Sequence, residues 1–239
     1  MAVRNFLTGG VGVQPVRYAP SRPHRSRKWR AAQTHDSASP YLTSHLKRVF
    51  DLVLATVMIG ILLPMLMLAA ISVKLSSSGA IIFRQKRHGL RQVPFVIFKF
   101  RSMHAECASD PTVRQATACD PRVTAIGRFL RKTSIDELPQ LFNVLRGEMS
   151  LVGPRPHALV HDEKYIAELP TYASRFSAIP GITGLAQING ARGETPTLAH
   201  MQKRLQLDLE YIKRASIFLD LKILVYTVVA VIKHRADVY

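Results

Sequence analysis

Apolar residues run without a charge from Leu52 to Val73, 22 positions in all, while polar residues dominate what comes before them. As a helix this run is about 33 Å long, enough for one crossing of a bilayer. Pro64 stands near its middle. Proline lacks an N–H, and its ring presses on the carbonyl four residues back, here Gly60, so a break is expected there. Each half is then too short to cross alone. Lys47 and Arg48 precede the run; Lys74, Arg84, Lys86, Arg87 and Arg91 follow it. Positive charge favours the cytoplasmic side, so a helix that enters, breaks at Pro64 and returns keeps both flanks there. An ordinary kinked span and a buried soluble hairpin are the alternatives. Asp51 can pair with Lys47 and Arg48 on one helix face, as an interfacial anchor.

Beyond residue 76 the apolar runs shorten. Residues 80–103 predict a hairpin, with Ile81–Phe83 as one strand, Phe95–Phe100 as the other and Gly89 in the turn. Phe98 and Phe100 share one face. Arg84, Lys86, Arg87, Arg91, Lys99 and Arg101 crowd this unit. They either defend a sheet edge or form a site for phosphates or lipid head groups. From 120 to 156, Phe129 and Leu130, then Leu138, Leu141, Phe142 and Leu145, recur at helical spacing around the junction TSIDELP. The pattern predicts helix, junction, helix, with Gly147 just past the second. Residues 203–239 predict one or two helices. Within them SIFLDLKILVYTVVAVIK (216–233) is interrupted by Asp220 and Lys222, so it is too short to span and lies in the interface or packs as a core helix.

The expected fold class is therefore α+β and mainly helical. A proline-broken, re-entrant membrane helix covers 46–75. A small cytoplasmic domain with a β-hairpin and an interfacial C-terminal helix covers 76–239. Residues 1–45, with seven basic residues against Asp36 before position 40, predict a mostly disordered basic arm without a signal-peptide layout.

Composition narrows the partners. Thirty-three Lys and Arg against 16 Asp and Glu give a formal net charge of +17. An anionic partner follows: nucleic acid, an anionic membrane surface or a phosphorylated substrate. The two cysteines, Cys107 and Cys119, have no CxxC spacing, so neither a zinc site nor a disulfide framework is expected and a reducing compartment fits.

Against this charge, the adjacent acids Asp136 and Glu137 stand out. Ser134-x-x-Glu137 matches a capping box, but that register puts Pro139 at the fifth helical position, where its N–H is missed. With Asp136 as the cap, Pro139 falls at the third position, where no N–H is needed. An Asp136 carboxylate at a helix mouth faces the positive dipole end and is expected to stay ionised. That suits a nucleophile, although helix capping explains the pair equally well. Glu137 beside it can hold a divalent cation, and hard oxygen ligands suit magnesium. In GPRP (153–156) two prolines fix the backbone around Arg155, which suits bidentate phosphate recognition, or else a plain surface turn. No DxD, HExxH, GxSxG or P-loop pattern is present.

From about Lys47 to the C-terminus, some four-fifths of the chain, these pieces in this order resemble the bacterial sugar transferases, or monotopic phosphoglycosyl transferases. They are KRVFD with a proline-broken apolar helix, FRQKRHG, FKFRSM, DPRVTAIGRFLRKTSIDELPQLFNVLRGEMSLVGPRP and PGITGLAQINGARGE. The resemblance implies transfer of a hexose-1-phosphate, glucose or galactose, from a UDP-sugar to undecaprenyl phosphate, with release of UMP. It implies a catalytic dyad at Asp136 and Glu137, with Asp136 forming a covalent phosphosugar adduct and Mg2+ held by the dyad. It places phosphate contacts at Lys99, Arg101, Arg131 and Arg155, and the helix break at Pro64. Leu185 stands where many relatives carry Trp. Longer relatives carry four extra membrane helices ahead of this domain. This chain resembles the short forms of exopolysaccharide synthesis, at the cytoplasmic face of the bacterial inner membrane. Membrane lipid is a further partner and nucleic acid is not; a homo-oligomer is compatible. The alternative is a basic membrane-peripheral scaffold that binds anionic lipid or nucleic acid.

Overall fold

The computed structural model describes residues 38–104, 120–191, 193 and 195–233. Cys107, Cys119 and the basic arm as far as residue 37 lie outside the described residues. The end of the expected arm is ordered. Pro40–Thr43 forms a 3-10 turn, and Tyr41 and Leu42 pack on the core. Ser39 donates through its N–H to Ile212 O at 2.9 Å and through Oγ to Ala215 O at 2.7 Å.

Helix α1 (His45–Ser76) starts where Ser44 Oγ accepts the Lys47 N–H at 3.1 Å. Pro64 lies inside this one helix rather than between two. Lys47, Asp51, Ala55, Leu66, Ala69 and Val73 are buried. Their spacings of four, four, eleven, three and four keep them on one face, so the same stripe meets the domain on both sides of Pro64. Pro64 and Gly60 are exposed, and the ring costs a hydrogen bond without meeting packed neighbours. The opposite face of α1 exposes Val53, Val57, Ile61, Met67, Leu68 and Ile71. Such a continuous apolar face belongs in lipid and marks a membrane protein.

Both ends of α1 are tied to the same small domain. Near its start, Arg48 donates to Val144 O at 2.7 Å and Leu145 O at 2.9 Å. At its end, Arg101 donates to Val73 O at 3.2 Å and, just beyond, to Ser77 O at 2.6 Å and Ala80 O at 2.7 Å. Carbonyls at and beyond a helix end lack intrahelical N–H partners, and a guanidinium fork meets them here, joined at Val73 O by Ser76 Oγ at 3.1 Å.

The hairpin forms as expected but its first strand is longer. Strand β1 (Ile82–His88) pairs antiparallel with β2 (Pro94–Phe100), with Phe83 opposite Lys99, Gln85 opposite Ile97 and Arg87 opposite Phe95. Arg84 and Lys86 point outward, so alternation hid the strand among its charges. Gly89 lies in the turn. Helices α2 (Ala125–Thr133) and α3 (Gln140–Arg146) flank the TSIDELP junction, and Gly147 ends α3 at φ 79°. Strand β3 (Ser150–Val152) pairs in parallel with β4 (Gly181–Thr183). Helix α4 (Leu159–Glu168) lies between them in sequence; α5 (Leu185–Ile188), α6 (Leu198–Arg214) and α7 (Ile217–Lys233) follow.

The main core joins Ala55 of α1, Phe95 and Ile97 of β2, Leu141 and Val144 of α3, Leu151 of β3 and Ile223 of α7. A smaller cluster sets Leu66 and Val73 of α1 against Phe100 and Leu130. The C-terminal run packs on the core through one face: Asp220 and Ile223 of α7 are fully buried, while Phe218, Val225 and Val228 are exposed. The result is an α+β fold, mainly helical, with one long apolar helix.

Candidate active site

Helix α2 ends at Ser134, which takes a left-handed conformation (φ 60°). This turns the chain into a single 3-10 turn, Ile135–Glu137, before α3 begins. Neither capping register holds. Ser134 makes no side-chain cap, and Asp136 lies inside the 3-10 turn rather than capping α3. Glu137 N–H bonds Ser134 O at 3.2 Å and Leu138 N–H bonds Ile135 O at 3.2 Å. Pro139 stands at the cap position of α3, where no N–H is required. Proline thus sets the join, and the dyad lies one turn before it.

The two acids have opposite surroundings. Both oxygens of Glu137 are held: Arg155 Nη1 donates to Oε2 at 2.9 Å, Arg155 Nη2 to Oε1, and Lys99 Nζ to Oε1 at 2.9 Å. Asp136 is buried, with 7% of its surface exposed, and its carboxylate makes no hydrogen bond among the described residues. Burial first, and then the charge of Glu137, push its pKa up to about 6, against the pull of Lys99, Arg131 and Arg155. Asp136 is still ionised at neutral pH, but the expected help from a helix mouth is corrected: desolvation outweighs the dipole in a 3-10 turn this short and moves the pKa up.

Three of the four expected cations surround the pair. Lys99 reaches it from β2, on the strand face that Ile97 and Phe95 anchor in the core. Burial lowers its pKa, partly offset by Glu137. Arg131, in the last turn of α2, donates Nε to Ser102 Oγ at 2.8 Å. Burial lowers its pKa, and the charge of Asp136 opposes that. Arg155 is charged despite burial because Glu137 stabilises it. Arg101 is the exception. Its donors hold the carbonyls at the end of α1, so it serves the membrane helix rather than a phosphate.

Arg155 is presented by interlocked glycines. Gly153 N–H bonds Thr183 O at 2.9 Å and Gly181 N–H bonds Pro154 O at 3.0 Å. A Cβ on Gly153 would lie 2.5 Å from Ile179 O and 2.9 Å from Gly181 N, and one on Gly181 would strike Gly153 N. GPRP and PGITG are thus two halves of one backbone contact.

The sequence named Arg87 only as one of the basic residues crowding the hairpin, not as a member of the site, and the buried arginines behind Arg155 were not singled out. Arg87 lies on the same hairpin face as Lys99 and senses Glu137 and Arg155; burial lowers its pKa to about 10. The hairpin register was the signal that could have found it. Arg175 and Arg204 carried no motif signal at all.

For magnesium the donor set is small. No cluster of three or more His, Cys, Asp or Glu able to hold a metal occurs among the described residues. One open carboxylate, Asp136, beside Glu137 fits an ion that keeps several waters and is carried mainly by substrate phosphates.

Comparison with known proteins adds identity to geometry. The family model described as bacterial sugar transferase matches residues 42–234. The chain is 54% identical over 183 residues to a UDP-glucose:undecaprenyl-phosphate glucose-1-phosphate transferase of Caulobacter vibrioides, covering 76% of this chain and 68% of that protein. It is 54% identical over 183 residues to a protein of the same name from Escherichia coli, covering 77% of this chain but 39% of that longer protein. It is 42% identical over 188 residues to an exopolysaccharide production protein of Rhizobium leguminosarum, covering 77% of this chain and 94% of that one.

Proposed function

The chain belongs to the bacterial sugar transferase family, and from that premise we propose that it moves glucose-1-phosphate or a related hexose-1-phosphate from a UDP-sugar to undecaprenyl phosphate. One observation carries this reading: Asp136 is a buried carboxylate with no hydrogen-bond partner among the described residues, next to a glutamate held by two cations. A largely buried carboxylate that no hydrogen bond holds is costly even with cations nearby, and a fold keeps one where chemistry uses it. A scaffold that merely bound anionic lipid or nucleic acid would have no use for it.

The chain's own groups define the steps. An Asp136 oxygen attacks the β-phosphorus of the UDP-sugar. The bond from that phosphorus to the bridging oxygen breaks, and UMP departs with the electron pair. An oxygen of the lipid phosphate then attacks the same phosphorus, and the Asp136 carboxylate is the leaving group. With a pKa near 6 Asp136 is mostly ionised at neutral pH yet weakly solvated, which favours attack. Arg155 and Lys99 hold Glu137 in place, and with Arg131 they face the negative charge of the reacting phosphate. Asp136 and Glu137 would hold magnesium, which when bound neutralises the diphosphate.

The membrane arrangement follows from the two staples. Arg48 and Arg101 fix both ends of α1 to one domain. A helix that crossed the bilayer would carry one end about 30 Å away from that domain. We therefore read α1 as entering and leaving on the same side, the cytoplasmic face of the inner membrane, with the exposed face of α7 beside it in the interface.

The deciding assay measures UMP release from UDP-sugars with undecaprenyl phosphate, with and without magnesium. Asp136→Asn should abolish release, and a sugar-phosphate adduct should be recovered on Asp136 in the wild type. Release by the Asn variant at the wild-type rate would refute the assignment.

A further inference from the structure

Behind Arg155 lies a second arginine, fully enclosed. Arg175 comes from the 3-10 turn Tyr172–Ser177, and its side chain is 2% exposed. Its Nη2 donates to the backbone oxygen of Arg155 at 2.6 Å and to Asp208 Oδ2 of α6 at 2.8 Å. Its Nη1 donates to Tyr172 Oη at 3.0 Å and lies 2.8 Å from His157 Nδ1. Tyr172 Oη donates in turn to Asp162 Oδ1 at 2.7 Å. Asp208 and Asp162 compensate the Arg175 charge, so the guanidinium needs no substrate to be stable there. What remains unusual is that one of its strongest donors is aimed at the carbonyl of the residue that clamps Glu137.

We propose that Arg175 is a positioning residue for the transfer reaction: held by Asp208, it grips the Arg155 carbonyl and fixes the angle at which the Arg155 fork meets Glu137. The inference rests on the reading of Asp136 and Glu137 as the reacting pair. The physical case is geometric. A bidentate fork works only if both nitrogens arrive in plane, and the Arg155 backbone has a proline on either side and glycine contacts before it. Those features fix Gly153 and Pro154 against β4. Pro156 narrows the Arg155 backbone to extended values, and within that range the direction of the Arg155 carbonyl is held by Arg175. A charge-assisted bond to that carbonyl is the means present.

The test uses the full chain in lipid nanodiscs. In the wild-type background Arg175→Lys should lower kcat for UMP release by about 10- to 100-fold, as expected for a misplacement near 1 Å, with KM for the UDP-sugar changed far less. In the Arg155→Lys background the same change should cost less than about twofold, because the partner it acts through is already impaired. An equal loss in both backgrounds, or no loss in the first, overturns the proposal. Tyr172→Phe is the stability control: it removes the hydroxyl that bonds Asp162, His157 and Arg175 Nη1, and leaves the Arg175 Nη2 bonds to the Arg155 carbonyl and Asp208 in place. It should lower Tm with little loss of kcat; a kcat loss matching that of Arg175→Lys at the same Tm overturns the proposal. A third readout does not depend on the reaction. Exchange of the Arg155 guanidinium N–H protons, which Glu137 holds, should speed up in Arg175→Lys, and unchanged exchange there counts against positioning. If the wild type releases no UMP the proposed function has failed, and the exchange result alone judges Arg175.

Discussion

Lys47, near the start of the membrane helix, donates to Asp220 Oδ2 of α7 across 2.6 Å, although 173 positions separate them. The same ammonium reaches Asp51 Oδ1 at 3.1 Å and Val152 O at 3.4 Å. Asp51 Oδ1 also accepts the Leu151 N–H at 3.2 Å, and Tyr211 Oη donates to Asp220 Oδ1 at 2.8 Å and to Val152 O at 3.0 Å. One buried cluster thus joins α1 and α7 to the strand that leads into Gly153–Arg155. Lys47 does pair with Asp51 as expected; Arg48 does not, because it is occupied by the carbonyls at the end of α3.

Lys47→Met should therefore be among the most destabilising single changes in the chain. It leaves two buried carboxylates without their cation, a loss of about 3–5 kcal/mol when one partner of a buried pair is removed. Adding Asp220→Asn should recover part of that loss, since one stranded charge disappears. Thermal unfolding in a fixed detergent or nanodisc would measure both; equal Tm values for Lys47→Met and wild type would dismiss the cluster as a structural centre.

Two glycine substitutions should behave in opposite ways. Gly153→Ala drives a methyl into Ile179 O and Gly181 N, both backbone atoms that cannot swing aside. It should cost about 3 kcal/mol or more and impair UMP release along with Arg155. Gly60→Ala meets nothing within 4 Å in the middle of α1. It should raise stability by roughly 0.5–1 kcal/mol, because alanine is the better helix former. Unfolding midpoints of the two variants, measured side by side, decide the matter.

Asp136 should carry a stability cost that comes from its burial beside Glu137. Its folded pKa is raised from 3.8 to about 6. The folded state therefore binds more protons than the unfolded state between those values, and stability contributed by this group falls as pH rises through that window. Asp136→Asn removes the ionisation. In magnesium-free, substrate-free buffer at pH 7 the variant should be about 1–3 kcal/mol more stable than wild type, and the gap should close towards pH 4. A less stable Asn variant at pH 7 would mean that Asp136 is held by attractive contacts instead.

How far the sequence led can be judged residue by residue. The long helix, the hairpin and the TSIDELP junction were legible because hydrophobic period and glycine position are local signals. Lys99, Arg131 and Arg155 at the dyad followed from motif resemblance. The role of Arg101 was not legible: a basic residue at a strand end looks the same whether it meets a phosphate or a helix carbonyl. The parallel β3–β4 pair was missed because three-residue strands carry no period. The dyad's register was half legible, since Pro139 marked the join correctly but a single 3-10 turn before it has no sequence signature.

The placement of α1 makes one more claim that can be checked in cells. If Arg48 and Arg101 hold both ends of the helix against one domain, both flanks must lie on the same side of the membrane. Thr43 and Ser78 bracket α1 and are exposed, so Thr43→Cys and Ser78→Cys serve as reporters, each in a chain whose Cys107 and Cys119 are replaced by Ser. A membrane-impermeant maleimide added outside the inner membrane should label neither position in intact cells and both after permeabilisation. Labelling of one alone would mean that the helix spans. Pro64→Ala, tested in the same way, separates two causes of the topology. Alanine restores the N–H that can bond Gly60 O. If the staples dominate, the Ala variant keeps both reporters shielded; if the proline dominates, one reporter becomes accessible from outside. The two guanidinium staples bond five carbonyls between them, against the one hydrogen bond that proline removes. The shielded outcome is therefore expected for both chains.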